Sequence, residues 1–401
     1  MGGMEGRQEK MDNTFMKLMD RLQGKIKEHA VPASSGGGYH DSWSAHQLQQ
    51  SYLLGPTEAG AMVSKGSHCP SNAPVKQYNV SAINVEIMLN QWGDYFPGYM
   101  YVLDEDISEV RKEEAANKKS REDELDPGMV STGLQGDAIQ PMTLRANQGD
   151  CLRVHFTNKI EDEDAGFQVN GSAMIISSSG KPASAASKGA IVASGESQNF
   201  EWMIPIDEQE GSHMIMSHAG RDPSALGLIG AFIVEPRGSK YLDPWDAKPV
   251  KNGWEVMITN DDAKDFREFV LFYHEVGDES FRPLNRHGEM IPQRDPLTDA
   301  YRPSARAMNY RSEPFGINNL AVQDKMFHYE DESLSYSSYT FADVPTTIPR
   351  SYLGDPAKFR LIHGGGEVFH SHHPHGGSIR WTRSPQREPQ QANLTYAAYD
   401  G

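Results

Sequence analysis

The chain has too few cysteines for a disulfide framework. Cys69 and Cys151 are its only ones in 401 residues, enough for one bond or two free thiols but no network of bridges. It also lacks a long hydrophobic run, since no window reaches the roughly 20 apolar residues that a membrane helix needs. The opening MGGMEGRQEK holds no apolar stretch of the kind that forms a secretory signal. Positive charge is scarce. Lys and Arg number 38 against 55 Asp and Glu, a net charge of −17. Such a chain repels nucleic acid and anionic lipid, which excludes both as partners and leaves metal cations open. Hydrophobic residues make up 37%, low for a compact globule, so a real core alternates with long polar stretches.

At this length two or three domains are expected. Residues 1–75 read as a partly disordered tail and linker. Phe15, Leu18, Leu22 and Ile26 stand at helical spacing behind a capping Asn13, and residues 31–75 are rich in Ser, Gly and Pro. Regular structure is expected to begin near Gln77, where YNVSAINVEIML alternates apolar and polar residues. The charge run 104–127 reads as a solvated insertion with room for a short helix. From Ile139 to Pro236 short strands alternate with Gly-rich turns: LRANQGDCLRVHFTN, GESQNFEWMIPI, GSHMIMSHAG and LGLIGAFIVEP. That pattern favours a sandwich or barrel. A second β-unit starts near Trp254 with WEVMITND and FREFVLFYHEV and continues through SYTFADV to FRLIHGG. The expected units are 76–238 and 250–401.

The densest chemistry is HGGGEVFHSHHPHGGSIRW, residues 363–381. His363, His370, His372, His373 and His375 fall within it. In a strand, side chains alternate with period two, so a His-x-His pair sends both imidazoles to one face, where they can share one metal or two neighbouring metals. His370-Ser371-His372 and His373-Pro374-His375 both have this spacing. Neutral imidazole suits copper, zinc, iron and nickel, and divalent copper binds tightest of the first-row series.

Several segments resemble the multicopper oxidases. IQPMTLRANQGDCLRVHFTN (139–158) is similar to the family's opening strand, Gly-Asp turn and second strand. GSHMIMSHAG with GLIGAFIVEP (211–236) is similar to its His-x-His strand and closing Gly-rich strand. DFREFVLFYHEV and MNYRSEPF (308–315) resemble the ceruloplasmin-like branch, which includes multi-domain bacterial manganese oxidases. The resemblance covers roughly residues 77–401. It implies an all-β chain of tandem cupredoxin-like Greek-key β-sandwich domains, the second incomplete, behind the N-terminal tail. It further implies copper as cofactor, a substrate that is a metal ion or phenol, and dioxygen as electron acceptor. The family's type 1 copper takes a Cys thiolate, and four His-x-His pairs hold a trinuclear cluster.

The chain departs from that pattern. The first expected pair falls on Gln168-Val169-Asn170 and the second on Met216-Ser217-His218, so only His218 remains as a ligand. No cysteine follows Cys151, which reads as a packing residue within a strand. His213 stands out of phase with Met216 and His218 and reads as a satisfied surface histidine. Asp137 and Glu313 read as turn-fixing or arginine-paired carboxylates, with Arg311 near Glu313. The metal candidates are therefore His370, His372, His373, His375 and His218. In one register His370 and His372 form the pair, with Glu367 at the type 1 position. In the other His370 takes that position and His373 with His375 form the pair, a reading slightly favoured by the following Gly376.

Two readings follow from the resemblance. The first is part of a copper oxidase whose missing ligands come from further domains or a homo-oligomer. The second is a non-catalytic cupredoxin module that binds copper or serves as scaffold. A histidine-rich cupin barrel using Glu367 is a third, against which the Gly-Asp turn and NYRSEPF count.

Overall fold

The structure, a computed structural model, describes residues 66–90, 92–122, 137–184, 189–219, 223–277, 281–291, 305–312, 347–364, 370–372, 379–381, 390–392 and 397–399. The helical pattern at 11–30, most of the linker, SYTFADV, Glu313, Glu367, His373 and His375 lie outside these residues.

In chain order the first strands are β1 (Val75–Met88), β2 (Tyr95–Leu103), β3 (Met142–Asn147), β4 (Cys151–Lys159), β5 (Ala165–Gly166), β6 (Gln168–Val169), β7 (Ile175–Ile176), β8 (Lys181–Pro182) and β9 (Ile191–Val192). Then come β10 (Ser197–Met203), β11 (Gly211–Met216), β12 (Gly230–Glu235), β13 (Lys240–Leu242), β14 (Glu255–Thr259), β15 (Phe266–Val276) and β16 (Ala305–Met308). The last are β17 (Ala357–His363), β18 (His370–His372), β19 (Ile379–Trp381), β20 (Gln390–Ala392) and β21 (Ala397–Tyr399). One helix, α1 (Ile107–Glu122), accompanies them among the described residues.

A six-stranded sheet, β2-β1-β4-β10-β7-β8, and a four-stranded sheet, β3-β12-β11-β6, form a cupredoxin-like β-sandwich. The parallel pairs β1 with β4 and β3 with β12 join strands distant in sequence, which gives a Greek-key path rather than a meander. Between the sheets lie Val80, Leu144, Phe156, Phe200, Trp202 and Phe232. A third sheet, β13-β14-β15-β16 with β17 parallel to β15, follows the sandwich.

Alternation along two strands explains how the sandwich and the third sheet share a core. In β1, Tyr78, Val80 and Ala82 enter the sandwich core, while Ile83, Val85 and Ile87 enter a second core. In β12, Phe232 and Val234 face the first core and Ala231 and Ile233 the second. Val270, Phe272 and Val276 of β15 and Ile362 of β17 complete that second core. Strands buried on both faces need continuous apolar sequence, which is why GLIGAFIV carries no polar residue.

A buried ion network also crosses this junction. Arg145 of β3 donates to Glu268 of β15 at 2.7 Å, and Arg360 of β17 donates to the other Glu268 oxygen at 2.8 Å. Arg360 also reaches Glu210 and Glu235. Burial alone would raise the Glu268 carboxyl. The two guanidiniums overcome that and hold it down at about 2. Glu235 goes the other way, raised well above the usual range by burial and by the Glu268 charge beside it.

Two expectations change here, and the reading of Asp137 as an arginine-paired carboxylate holds. The two cysteines are joined: Cys69 and Cys151 form a disulfide with Cα atoms 5.8 Å apart, across 82 residues of sequence. It ties the segment before β1 to the start of β4. The charge run is not simply solvated, because α1 docks. Glu114 is buried, accepts the Glu86 N–H at 2.9 Å and pairs with Arg111 and Lys118. Asp137 pairs with Arg311 at 3.1 Å, and Arg311 donates to the carbonyls of Met88 and Ile139.

Candidate metal centre

Strand β15 begins the site. Its sequence FREFVLFYHEV is buried almost throughout, yet it carries Tyr273, His274 and Glu275 at its end. Period-two alternation puts Tyr273 and Glu275 on one face and His274 on the other. Strand β17 runs parallel beside it, with His363 opposite Tyr273. The chain turns at Gly364, whose N–H donates to the Tyr273 carbonyl at 2.8 Å. A Cβ at Gly364 would stand 2.8 Å from the His274 Cβ and from Ile229, so the turn passes closer than a side chain allows. Strand β18 then returns, pairing with β21.

The His-x-His geometry holds for His370 and His372. Both rings flank the Tyr273 ring, with centroids 6.2 and 6.0 Å away. The His363 ring lies 5.1 Å from that of His370. Nδ1 of His372 is 2.9 Å from the Tyr273 hydroxyl oxygen. Burial pushes the Tyr273 phenol up to about 12, so it remains a neutral hydroxyl at physiological pH. A ligating imidazole keeps its second N–H in a hydrogen bond that fixes tautomer and orientation. The contact between the Tyr273 hydroxyl and Nδ1 holds the His372 ring in one orientation beside His370.

Glu275 is the unusual group. Its side chain is 1% exposed, and Oε1 lies 2.9 Å from Nε2 of His370. Among the described residues neither carboxylate oxygen has a hydrogen-bond donor, and Nε2 of His370 has no acceptor. A buried carboxyl group without donors is costly unless a proton or cation satisfies it. That orphaned pair fits a divalent cation, and imidazole with carboxylate is a donor set that copper accepts. Among the described residues no group of three or more His, Cys, Asp or Glu side chains is placed to hold a metal ion, so further donors would have to come from elsewhere.

His274 is excluded as a ligand by its own bonds. Nδ1 donates to the Glu275 carbonyl at 3.1 Å and Nε2 accepts the Tyr310 N–H at 3.1 Å. Burial drives its pKa down to about 4, so it stays neutral.

The first sandwich offers a contrast. Strands β6 and β11 pair with Gln168 opposite Met216, so the two positions where the resemblance expects His-x-His pairs are neighbours in space. Their residues are poor copper donors. His218 is exposed at the end of β11, and partial burial lowers its pKa. Among the described residues no contact joins it to His370 or His372. His213 is not a surface residue. It is buried, donates from Nδ1 to the Asn170 carbonyl at 2.9 Å and packs edge-on against Trp202 at 5.5 Å. It is in phase with Ile215, which faces the core.

His373 and His375 lie outside the described residues. Sequence reasoning passed over Tyr273 and Glu275. The available signal was a carboxylate and a phenol two apart in an otherwise apolar strand.

The family model described as multicopper oxidase matches residues 124–239. That span covers β3 to β12 and stops before the histidine cluster. No curated protein matches the chain. Among solved structures, a multicopper oxidase from Pseudomonas thermotolerans is 18% identical, with 60% of this chain and 43% of that chain covered at a TM-score of 0.33. Multicopper oxidase mgLAC is 13% identical, with 81% and 73% covered at 0.41. A copper nitrite reductase from Nitrosomonas europaea is 12% identical, with 81% and 82% covered at 0.41. The chain spans 43% and 60% of the length of the first two multicopper oxidases it matches.

Proposed function

We propose that this chain is a copper-binding protein of multicopper oxidase type, part of an oxidase that couples oxidation of a metal ion or phenol to reduction of dioxygen. In this reading residues 76–238 and 250–401 are two cupredoxin units, and the copper donors sit in the second. One observation carries the reading. His370 and His372 lie on one strand face around Tyr273, beside the orphaned buried carboxylate of Glu275. The match of residues 124–239 to the family supports it.

His370 and His372 would hold the metal, with His373 and His375 as further donors from the same segment. Bound copper would supply one-electron chemistry between a reduced substrate and dioxygen. Tyr273 orients the His372 ring, and the apolar wall of β15 limits water behind the cluster. Both cysteines are in the disulfide, so no thiolate of these 401 residues serves a type 1 copper.

A second reading has its own support. Gln168 opposite Met216 leaves the first unit without a paired imidazole site, which favours a module that stores copper or serves as scaffold. Copper reconstitution and dialysis, with metal analysis of the wild type and of a variant carrying His370→Ala, His373→Ala and His375→Ala, test the site. Retained copper that disappears in the variant supports it, and no copper in either protein refutes it. Oxygen consumption with a phenol or reduced metal ion then separates oxidase from store.

A further inference from the structure

We infer that Glu275 is itself a metal ligand, making the His370 centre a mixed imidazole–carboxylate site selective for divalent over monovalent cations. This inference rests on the reading of the cluster as a metal centre and adds a donor that the resemblance does not include. All-imidazole or thiolate copper sites do not need it.

The geometry carries the inference. Nε2 of His370 and Oε1 of Glu275 are 2.9 Å apart, a distance at which an N–H would normally be aimed at the oxygen. No hydrogen bond forms across it, and among the described residues both atoms are left without one. Two donors bound side by side to one metal at about 2.0–2.1 Å each are separated by about 2.9 Å when they subtend a right angle. The ring nitrogen then points past the oxygen toward the metal instead of at it. The pair has the spacing and the misalignment of a coordination edge.

The surroundings agree. Glu275 is 1% exposed and sits at the end of a strand whose neighbours are Phe272 and Val276. No lysine or arginine reaches it among the described residues, whereas the equally buried Glu268, earlier on the same strand, takes two arginines. The third ring, His363, stands 5.1 Å from His370 and is carried by β17, the direct neighbour of β15. A carboxylate is a hard, anionic oxygen donor. It stabilises Cu(II), Zn(II) and Mn(II) far more than Cu(I), which prefers soft ligands.

The test compares the full-length wild type with Glu275→Gln and Glu275→Asp, titrating Cu(II), Zn(II) and Cu(I) separately. Glu275→Gln should weaken Cu(II) and Zn(II) by at least about tenfold, change the hyperfine splitting of the Cu(II) EPR spectrum and leave Cu(I) binding nearly unchanged. Its metal-free form should melt at or above the wild-type temperature, because an unpaired buried charge has been removed, and it should lose the rise in Tm that Zn(II) gives the wild type. Glu275→Asp should keep part of the Cu(II) affinity. If Glu275→Gln weakens Cu(I) and Cu(II) alike, Glu275 acts through His370 and the inference falls. Unchanged affinity and spectrum also overturn it while the metal centre stands. A wild type that binds none of the three ions overturns both.

Discussion

The sandwich built from β3 to β12 and the sheet edge formed by β15, β17 and β18 divide fold signature from chemistry. The first carries the pattern that matches the multicopper oxidase family, and the positions where the resemblance expects ligands hold Gln168, Asn170, Met216 and one histidine, His218. The second lies outside the match and gathers His363, His370, His372, Tyr273 and Glu275. A Greek-key framework depends on turns and apolar alternation, so it does not need imidazoles at those positions. A metal centre depends on a few polar side chains, and these can be kept on a strand edge after the surrounding pattern has drifted. The shared core and the Arg145–Glu268–Arg360 network keep the two regions in register.

Cutting that network should have the largest effect. Glu268→Ala strips the buried Arg145 guanidinium of its carboxylate and leaves Arg360 only Glu210 and Glu235, and should cost about 3–5 kcal/mol, read from chemical denaturation. A mild result would mean that the second core alone joins the regions. Replacing Cys69 and Cys151 by Ser should cost about 2–4 kcal/mol, because the bond closes a long loop in the unfolded chain. The loss should appear in the first sandwich while metal binding at His370 persists.

The acid limb of stability tests the same junction. The folded Glu268 pKa of about 2 lies below its ordinary 4.5. Its contribution is therefore complete above about pH 4.5 and is lost as pH falls toward 2. Tm measured across that window should drop more steeply for the wild type than for Glu268→Gln.

Donor swaps sharpen the contrast between the regions. Gln168→His with Met216→His places two imidazoles opposite each other on paired strands, close enough to share a metal. One additional Cu(II) equivalent should bind, and its absence would show that the first sandwich lost more than its donors. The smallest effect belongs to His218→Ala. The residue is exposed at the end of β11, so stability should change by about 0.5 kcal/mol or less.

Much of this contrast is legible in the sequence because period-two alternation is a local signal. The strands through IQPMTLRANQGDCLRVHFTN and GLIGAFIVEP and the shared face of His370 and His372 all follow from it. What escaped depends on partners far along the chain. Helix α1 is held by Glu86 and Arg311, not by its own weak amphipathicity. The disulfide joins residues 82 apart. The phase of His213 against Met216 points to the surface, whereas Trp202 on a different strand closes over it. Glu275 gains meaning only when β18 brings His370 to it from 95 residues away.

The central claim is that copper belongs to the second region and not the first. Copper content after reconstitution and exhaustive dialysis of wild type, His370→Ala and His218→Ala tests it directly. The account requires copper retained by the wild type and His218→Ala and lost from His370→Ala. Copper kept by His370→Ala and lost from His218→Ala would place the metal in the first sandwich and contradict the account.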